Sequence, residues 1–545
     1  MRLLTAQGLT VGSVPTEGQV VWLRRNANLS TGGTSRDVTD LVHPDVAALC
    51  ERVAGLLGLD IAGVDLRLPD VAAPPPADDA EPGAGGVVEV NAAPGLRMHL
   101  EPTEGRPRDI GPAIVDLLFP TGQGRIPTIA VTGTNGKTSV SRLAAHIIGG
   151  TGRRVGVTTT DGVYVGGRLV QRADATGPRS ARLVLNDPTV EVAVLETARG
   201  GMQRRGLGYD LTDVGVITNI TGDHLGQDGL ASIADVAEVK SLVAEQVRVG
   251  GTLVLNADDP RVRALVDRPR VAAADKRVVW FSVADGNPTV AAHLASGGRA
   301  LLLRDGQLIL ANGTDSVTLL PVEELPGSFG GLAPYAVANA LAAAAAAAAV
   351  GVPAEQVAAG LRSFQPADNP GRGALLYRDG VHIVVDYAHN PAAIGAITEP
   401  LLRVWGRDRA IAAVTLPGDR CDELLAESAR ALARAFSRVV LYEDHDLRGR
   451  APGELPALLS AEIAACAADS RRVLAADPQE AVPAALAMAD PGDVVLVMYE
   501  HVDEVLAVLA ELGATPVADD AALATAGLLA DLADLTDFAL AVEPG

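Results

Sequence analysis

The stretch Val131–Ser139, VTGTNGKTS, decides the fold. It stands between a short apolar run, TIA (128–130), and a helix-like pattern, GKTSVSRLAAHIIGG (136–150). A glycine-bearing turn from strand to helix lets backbone N–H groups close around phosphates, and the helix N-terminus adds positive potential. Gly133, Thr134, Asn135, Gly136 and Ser139 form the cradle. Lys137 is placed to neutralise β- and γ-phosphates, and the Thr138 hydroxyl to hold Mg2+. The general pattern GxxxxGK[ST] requires glycine at 131, where this chain has Val131, so the loop is a shorter variant, TGTNGKT.

Working outward, apolar strands alternate with helices on either side: VEVAVLET (190–197), VGVITNI (214–220), GTLVLNADD (251–259), RVVWFSV (277–283). Such alternation predicts a buried, mainly parallel sheet. The pattern restarts near DNPGRGALL (368–376) and runs through VHIVVDYAHN, RAIAAVTLPG, RVVLYED and DVVLVMYE, a second and smaller α/β unit. Before the loop, the helix-like HPDVAALCERVAGLLGL, the strand IAGVDLRL, the Pro/Gly/acidic loop PDVAAPPPADDAEPGAGG and the strand VVEVNAAPG form a separate lobe, with QVVWLRRNANL read as extended. The expected division is 1–122, 123–368, 369–510, and an acidic, alanine-rich helical tail, 511–545.

Composition narrows the function classes. The chain has 545 residues and a net charge of −22, so a general nucleic-acid surface is not expected, because phosphate binding needs excess Lys and Arg. The opening residues, MRLLTAQGLTVGSV, lack a long apolar signal, and LAAAAAAAAVGV is too short and alanine-rich to span a bilayer. Cys50, Cys421 and Cys466 lie far apart without a CxxC pair, as expected in a reducing cytoplasm. Only three lysines occur, Lys137, Lys240 and Lys276; every other cationic side chain is arginine or histidine. A lysine that persists against such a bias is a candidate for work arginine cannot do, since arginine does not readily lose its proton.

The loop and its companions resemble the Mur ligase superfamily. VLETARGGM (194–202) puts Glu196 just after a strand, and TNITGDHLG (218–226) puts Asn219, Asp223 and His224 after another. The resemblance implies that Glu196 and His224 help to hold two Mg2+ ions. Lys240, in VAEVKSLV, matches a lysine that many such ligases carry as a carbamate, an anionic oxygen ligand suited to Mg2+. Asn339, in PYAVANALAAA, occupies a nucleotide-side position. The resemblance implies that Arg372, in NPGR, and Asp386, in DYAHNP, approach ATP when the C-terminal domain closes, with His389 and Asn390 at the closing interface. The implied reaction phosphorylates a substrate carboxylate with Mg·ATP, and an amine then attacks the acyl phosphate to form an amide. The catalytic set is Lys137, Glu196, His224 and Lys240.

The first lobe narrows the resemblance. RRNANLSTGG (24–33), GLDIAGVDL (58–66) and VVEVNAAPGLRMH (87–99) resemble the last part of an ATP-grasp domain. There an Asp and an E-x-N pair bind Mg2+; here they are Asp65, Glu89 and Asn91, the last two on one face of a strand. An ATP-grasp module ahead of a Mur-type module is the arrangement of the cyanophycin synthetase family, which builds a poly-aspartate backbone with arginine side groups. TTTDGVYV, DATGPRSARLVLNDP, LPGDRCDE and DLRGRAPGE agree with that family. The resemblance implies that the Mur-type module joins L-arginine to aspartate β-carboxylates. It also implies that Thr176, Arg179, Ser180 and Arg182 meet the acidic polymer, with Arg448 and Arg450 on the C-terminal substrate surface, in a homo-oligomer. Residues 1–136 hold no lysine. The aspartate-adding ATP-grasp activity is therefore expected to be lost, or to depend on a segment that a separate polypeptide supplies. Mur-type ligation of another amino acid to another acidic substrate, and a non-catalytic subunit docking through the first lobe, are the alternatives.

Overall fold

The computed structural model describes residues 1–23, 29, 32–76, 84–120, 124–223 and 229–517. His224, most of RRNANLSTGG and residues 518–545 of the tail lie outside the described residues. The chain divides into two compact units, Met1–Arg125 and Ile126–Gly545.

In the first unit, the helix Pro44–Leu56 starts on Pro44, with His43 Nδ1 accepting from Asp45 N at 3.2 Å. Strands β1 (Gly63–Arg67) and β2 (Gly86–Asn91) pair antiparallel, and a second helix spans Gly111–Leu118. Arg108 ties down the connecting segments by pairing with Asp37 at 2.9 Å and with Asp40 at 2.5 Å. Val46 is the one buried hydrophobic among this unit's described residues, while Val14, Trp22, Leu57 and Val88 are exposed. Residues 19–23, expected to be extended, join no strand.

The second unit holds two sheets. The first has eleven strands. These are β3 (Thr128–Thr132), β4 (Val155–Thr159), β5 (Gly162–Val165), β6 (Arg168–Gln171), β7 (Val192–Glu196), β8 (Thr212–Ile217), β9 (Val247–Asn256), β10 (Arg277–Ser282), β11 (Arg299–Arg304), β12 (Gln307–Asn312) and β13 (Asp315–Pro321). Their order is β13-β12-β11-β10-β9-β8-β3-β7-β4-β5-β6. The run from β11 to β4 is parallel, and antiparallel strands close both edges. β3 and β7 are buried along their whole length, which is why their sequences read as continuous apolar runs.

The second sheet comprises β14 (Arg372–Arg378), β15 (Val381–Asp386), β16 (Ala410–Val414), β17 (Arg438–Tyr442), β18 (Arg471–Ala475), β19 (Val494–Met498) and β20 (Thr515–Pro516), in the order β18-β17-β16-β19-β15-β14-β20. Residues 511–545, expected as a helical tail, begin otherwise: after the helix Val502–Glu511, Thr515–Pro516 pair antiparallel with β14 instead of continuing as helix. Gly513, at φ 82°, supplies the left-handed turn between them. Among the described residues no helix is long and apolar enough to cross a membrane.

The alanine run is the most enclosed helix of the unit. Pro334–Ala349 packs against the helix Lys137–Gly149 and strands β8 to β11, with every side chain from Ala340 to Ala347 buried. Methyl-sized side chains let its axis lie close to both neighbours. Replacing Ala344 by leucine is expected to destabilise the protein by about 1–3 kcal/mol through overpacking. Urea unfolding would measure this; a variant as stable as the parent would refute close packing at that face.

Candidate active site

Sheet order explains why the site forms where it does. β3 lies between β7 and β8, so the loop after β3 emerges between the loops after its two neighbours, the crevice where open α/β sheets bind ligands. Gly136 caps the helix Lys137–Gly149 in the left-handed conformation, φ 85°, and a Cβ there would collide with the Asn339 carboxamide. A Cβ on Gly133 would collide with the Thr218 hydroxyl. Both glycines are therefore fixed by close approach as well as by conformation. Asn219 Oδ1 accepts from Asn135 N at 2.9 Å, and Thr218 Oγ1 donates to Asn135 O at 2.6 Å, which sets the loop's path.

Glu196 ends β7 almost wholly buried. Its carboxylate accepts from Thr138 Oγ1 at 2.9 Å, Thr160 N at 3.2 Å and Thr160 Oγ1 at 3.1 Å. Burial pushes this carboxyl up, against the opposing pull of Lys137 and Arg372. Desolvation holds the Lys137 ammonium below its ordinary value; its Nζ donates to Thr134 O at 2.9 Å. Lys240 is buried, and its Nζ donates to Gly133 O at 2.6 Å. Desolvation first, and the charge of Lys137 second, hold the Lys240 amine well below the usual lysine value. Lys276, in contrast, caps a helix end: its Nζ donates to Ala244 O and Glu245 O at 2.7 and 2.8 Å.

A cavity of about 330 Å3 lies over the loop. Its lining includes polar side chains, Lys137, Thr138 and Arg372, and apolar ones, Phe281, Ala338, Ala396 and Ile397. Asn339 and Asp386 also line it. The Arg372 guanidinium stacks 4.5 Å from the Tyr387 ring centroid. Withdrawal from water pushes the Asp386 carboxyl up to about 6 from its ordinary 3.8, with Arg372 opposing. A larger cleft of about 820 Å3 opens on the other side. The two spaces share Lys137, Thr160, Glu196, Arg372, Tyr387 and His389.

The loops after β15 and β16 reach the phosphate-type loop. Asn390 caps the helix Pro391–Trp405, and its carboxamide exchanges two hydrogen bonds with that of Asn135, at 2.9 and 3.2 Å. His389 Nε2 lies 3.3 Å from Asp223 Oδ2, and Arg420 Nε donates to Asp223 Oδ1 at 3.0 Å. Neither Thr160 nor Arg420 is marked out by a motif rule. Both lie in stretches singled out above, TTTDGVYV and LPGDRCDE, and only the fold shows which residue in each turns inward.

The expected substrate residues separate. Thr176 is buried, bonds Asp174 at 2.7 Å and lines the cleft. Arg179, Ser180 and Arg182 lie on the helix Pro178–Leu185 and are not among the cleft-lining residues; Arg172, Arg199 and Arg204 are. Arg448 lines the cleft and pairs with Glu500. Arg450 does not line it: it bonds Gly418 O, Arg420 O, Asp422 and Glu454 at 2.7–2.8 Å, bracing the turn that carries Arg420. In the first unit, Asp65 stands opposite Glu89 in the β1–β2 register, with Asn91 two residues further along.

Residues 131–347 match the Mur ligase middle domain, and residues 371–498 match the Mur ligase glutamate ligase domain. The chain belongs to the Mur ligase family. It is also 42% identical to cyanophycin synthetase of Trichormus variabilis over 508 residues, 93% of this chain and 55% of that protein. The chain thus spans about half the length of the curated relatives it matches over most of its own. Among solved structures, Mycobacterium tuberculosis folylpolyglutamate synthase, complexed with ADP and AMPPCP, superposes with a TM-score of 0.54 at 20% identity. That match covers 74% of this chain and 95% of that one. The bifunctional folylpolyglutamate synthase/dihydrofolate synthase of Yersinia pestis gives 0.51 at 21% identity, covering 73% and 92%. At these identities the structural matches establish the fold.

The raised Asp386 carboxyl has a stability consequence. Between about pH 4 and 6 the folded chain keeps a proton that the unfolded chain releases, so this group's contribution falls as pH rises through that window. Asp386→Asn removes the titration. Unfolding free energy measured against pH should decline less steeply over that window in the variant than in the parent; identical slopes would refute the assignment.

Proposed function

We propose that this Mur ligase family member is an ATP-dependent amide ligase that joins L-arginine to the β-carboxylates of a poly-aspartate chain. The observation that carries the reading is the pair of spaces meeting at Lys137, Glu196, Arg372 and His389. One space suits a nucleotide and the other an acidic acceptor with its amine. The smaller cavity suits ATP: its apolar lining suits a planar base, and the N-terminus of the helix Lys137–Gly149, which borders it, suits phosphates. The hard oxygen donors of Thr138 and Glu196 fit Mg2+, with Lys240 as a carbamate, and His224, as further ligands. When bound, Mg2+ supplies neutralisation of phosphate charge.

In this reading Lys137 and Arg372 offset charge on the transferring phosphoryl group, and the substrate carboxylate becomes an acyl phosphate. The amine attacks the acyl carbon, phosphate leaves, and an amide forms. Arg172, Arg199 and Arg204 line the cleft and suit aspartate carboxylates, and the acids Asp419, Glu500 and Glu504 that also line it suit a guanidinium-bearing amine. Asp65, Glu89 and Asn91 are read as metal ligands of the ATP-grasp type. The exposed apolar side chains of the first unit favour a second reading, a docking lobe that binds another copy or a separate polypeptide.

Purified protein given Mg·ATP, poly-aspartate and each amino acid in turn is expected to release phosphate only when arginine and polymer are both present. Release with a different amine would replace the substrate assignment; release with none, by parent and Lys137→Ala alike, would leave the docking reading. Lys137→Ala is expected to slow turnover by at least roughly 10²–10³-fold. Lys240→Arg is expected to abolish turnover while the fold survives, as read by circular dichroism. Full activity in that variant would remove the carbamate.

A further inference from the structure

A second cluster of metal-type donors lies on the C-terminal sheet, apart from the phosphate-type loop. Asp444 and His445 follow β17, and His501 follows β19; β16 lies between those strands, so the two loops meet beyond its end. His501 Nδ1 is 2.9 Å from Asp444 Oδ2. His445 Nδ1 is 3.4 Å from Asp444 Oδ1 and 3.2 Å from Glu504 Oε1. The two imidazole centroids are 4.3 Å apart. Donor atoms of Asp444, His445 and His501 all lie within 4.8 Å of one another, the one such group among the described residues. With metal–ligand bonds of ~2.0–2.1 Å, neighbouring corners of a tetrahedron are about 3.3 Å apart. The two His–Asp spacings bracket that edge.

Hydrogen bonding alone accounts for either imidazole beside an acid. It gives no reason for both Nδ1 atoms to face the same buried carboxylate while a second carboxylate faces His445 from Glu504. The positive N-terminal end of the helix Val502–Glu511 works against a cation here, and the two carboxylates outweigh it. Two imidazole nitrogens with a carboxylate oxygen suit zinc and its neighbours; Mg2+ and Ca2+ prefer oxygen alone.

We propose that Asp444, His445 and His501 bind one divalent transition-metal ion of the zinc class, separate from the Mg2+ of the phosphate-type loop. Three protein ligands leave the fourth position to water. The ion ties the loop bearing Arg448 to the segment Glu500–Glu504, and both border the large cleft. The ion thus sets one wall of that cleft without touching the reacting atoms.

The test uses the full chain, stripped with a chelator and titrated calorimetrically with Zn2+ in excess Mg2+. One saturable site is expected, weakened at least about tenfold in His445→Ala and in His501→Ala. Co2+ is expected to give the intense visible absorption of a four-coordinate N/O site in the parent, a readout that stands even if a variant fails to fold. No saturable site, equal affinity in parent and both folded variants, or a pale six-coordinate Co2+ spectrum would each overturn the proposal.

Discussion

Burial of the Glu196 carboxylate is the constraint on which the site depends. A strand covered on both faces must be apolar, and a charge at its end costs several kcal/mol unless it is paired or hydrogen-bonded. Thr138 and Thr160 provide the bonds, one from the first turn of a helix and the other from the end of β4. Satisfying one carboxylate thus fixes the distance between two loops that share no sequence continuity. Gly133 and Gly136 follow from the same crowding, because Thr218 and Asn339 fill the space beside them.

The contacts between the two sheets' loops are of two physical kinds. Asn135 and Asn390 meet as neutral carboxamides, each donor and acceptor satisfied by the other. Asp223 meets Arg420 and His389 in a buried charged group. The amide pair gives registry at little desolvation cost. The ionic group is strong only while all its members stay together, because a lone buried charge is costly.

The sequence carries most of this architecture and only part of the site. The glycine loop, the apolar strands and the restart near Asn369 are local patterns, and local patterns survive into the fold. Lys137, Thr138 and Glu196 are legible because their positions follow from the strand-to-loop transitions. Thr160 and Arg420 are not, since what selects them is which strand lies beside which. The TGPRSAR stretch shows the opposite case: its arginines look suited to an acidic polymer, but helical geometry turns Arg179 and Arg182 outward while Thr176 alone faces the cleft. The alanine run reads as low complexity, and its value lies in the small volume that close packing demands. The start of the expected helical tail is illegible because two residues pairing at a sheet edge leave almost no periodic signal.

All three lysine amines donate to backbone carbonyl oxygens, and none of the three residues is exposed. The outer positive charge of the chain is therefore carried by guanidinium and imidazole groups. Chemistry that targets a fully exposed ε-amine, such as acetylation, glycation, isopeptide conjugation or coupling to an activated ester, finds no side-chain acceptor there. An amine-reactive label that enters this chain beyond its α-amino group reports on three half-buried or buried amines, two of them beside one loop.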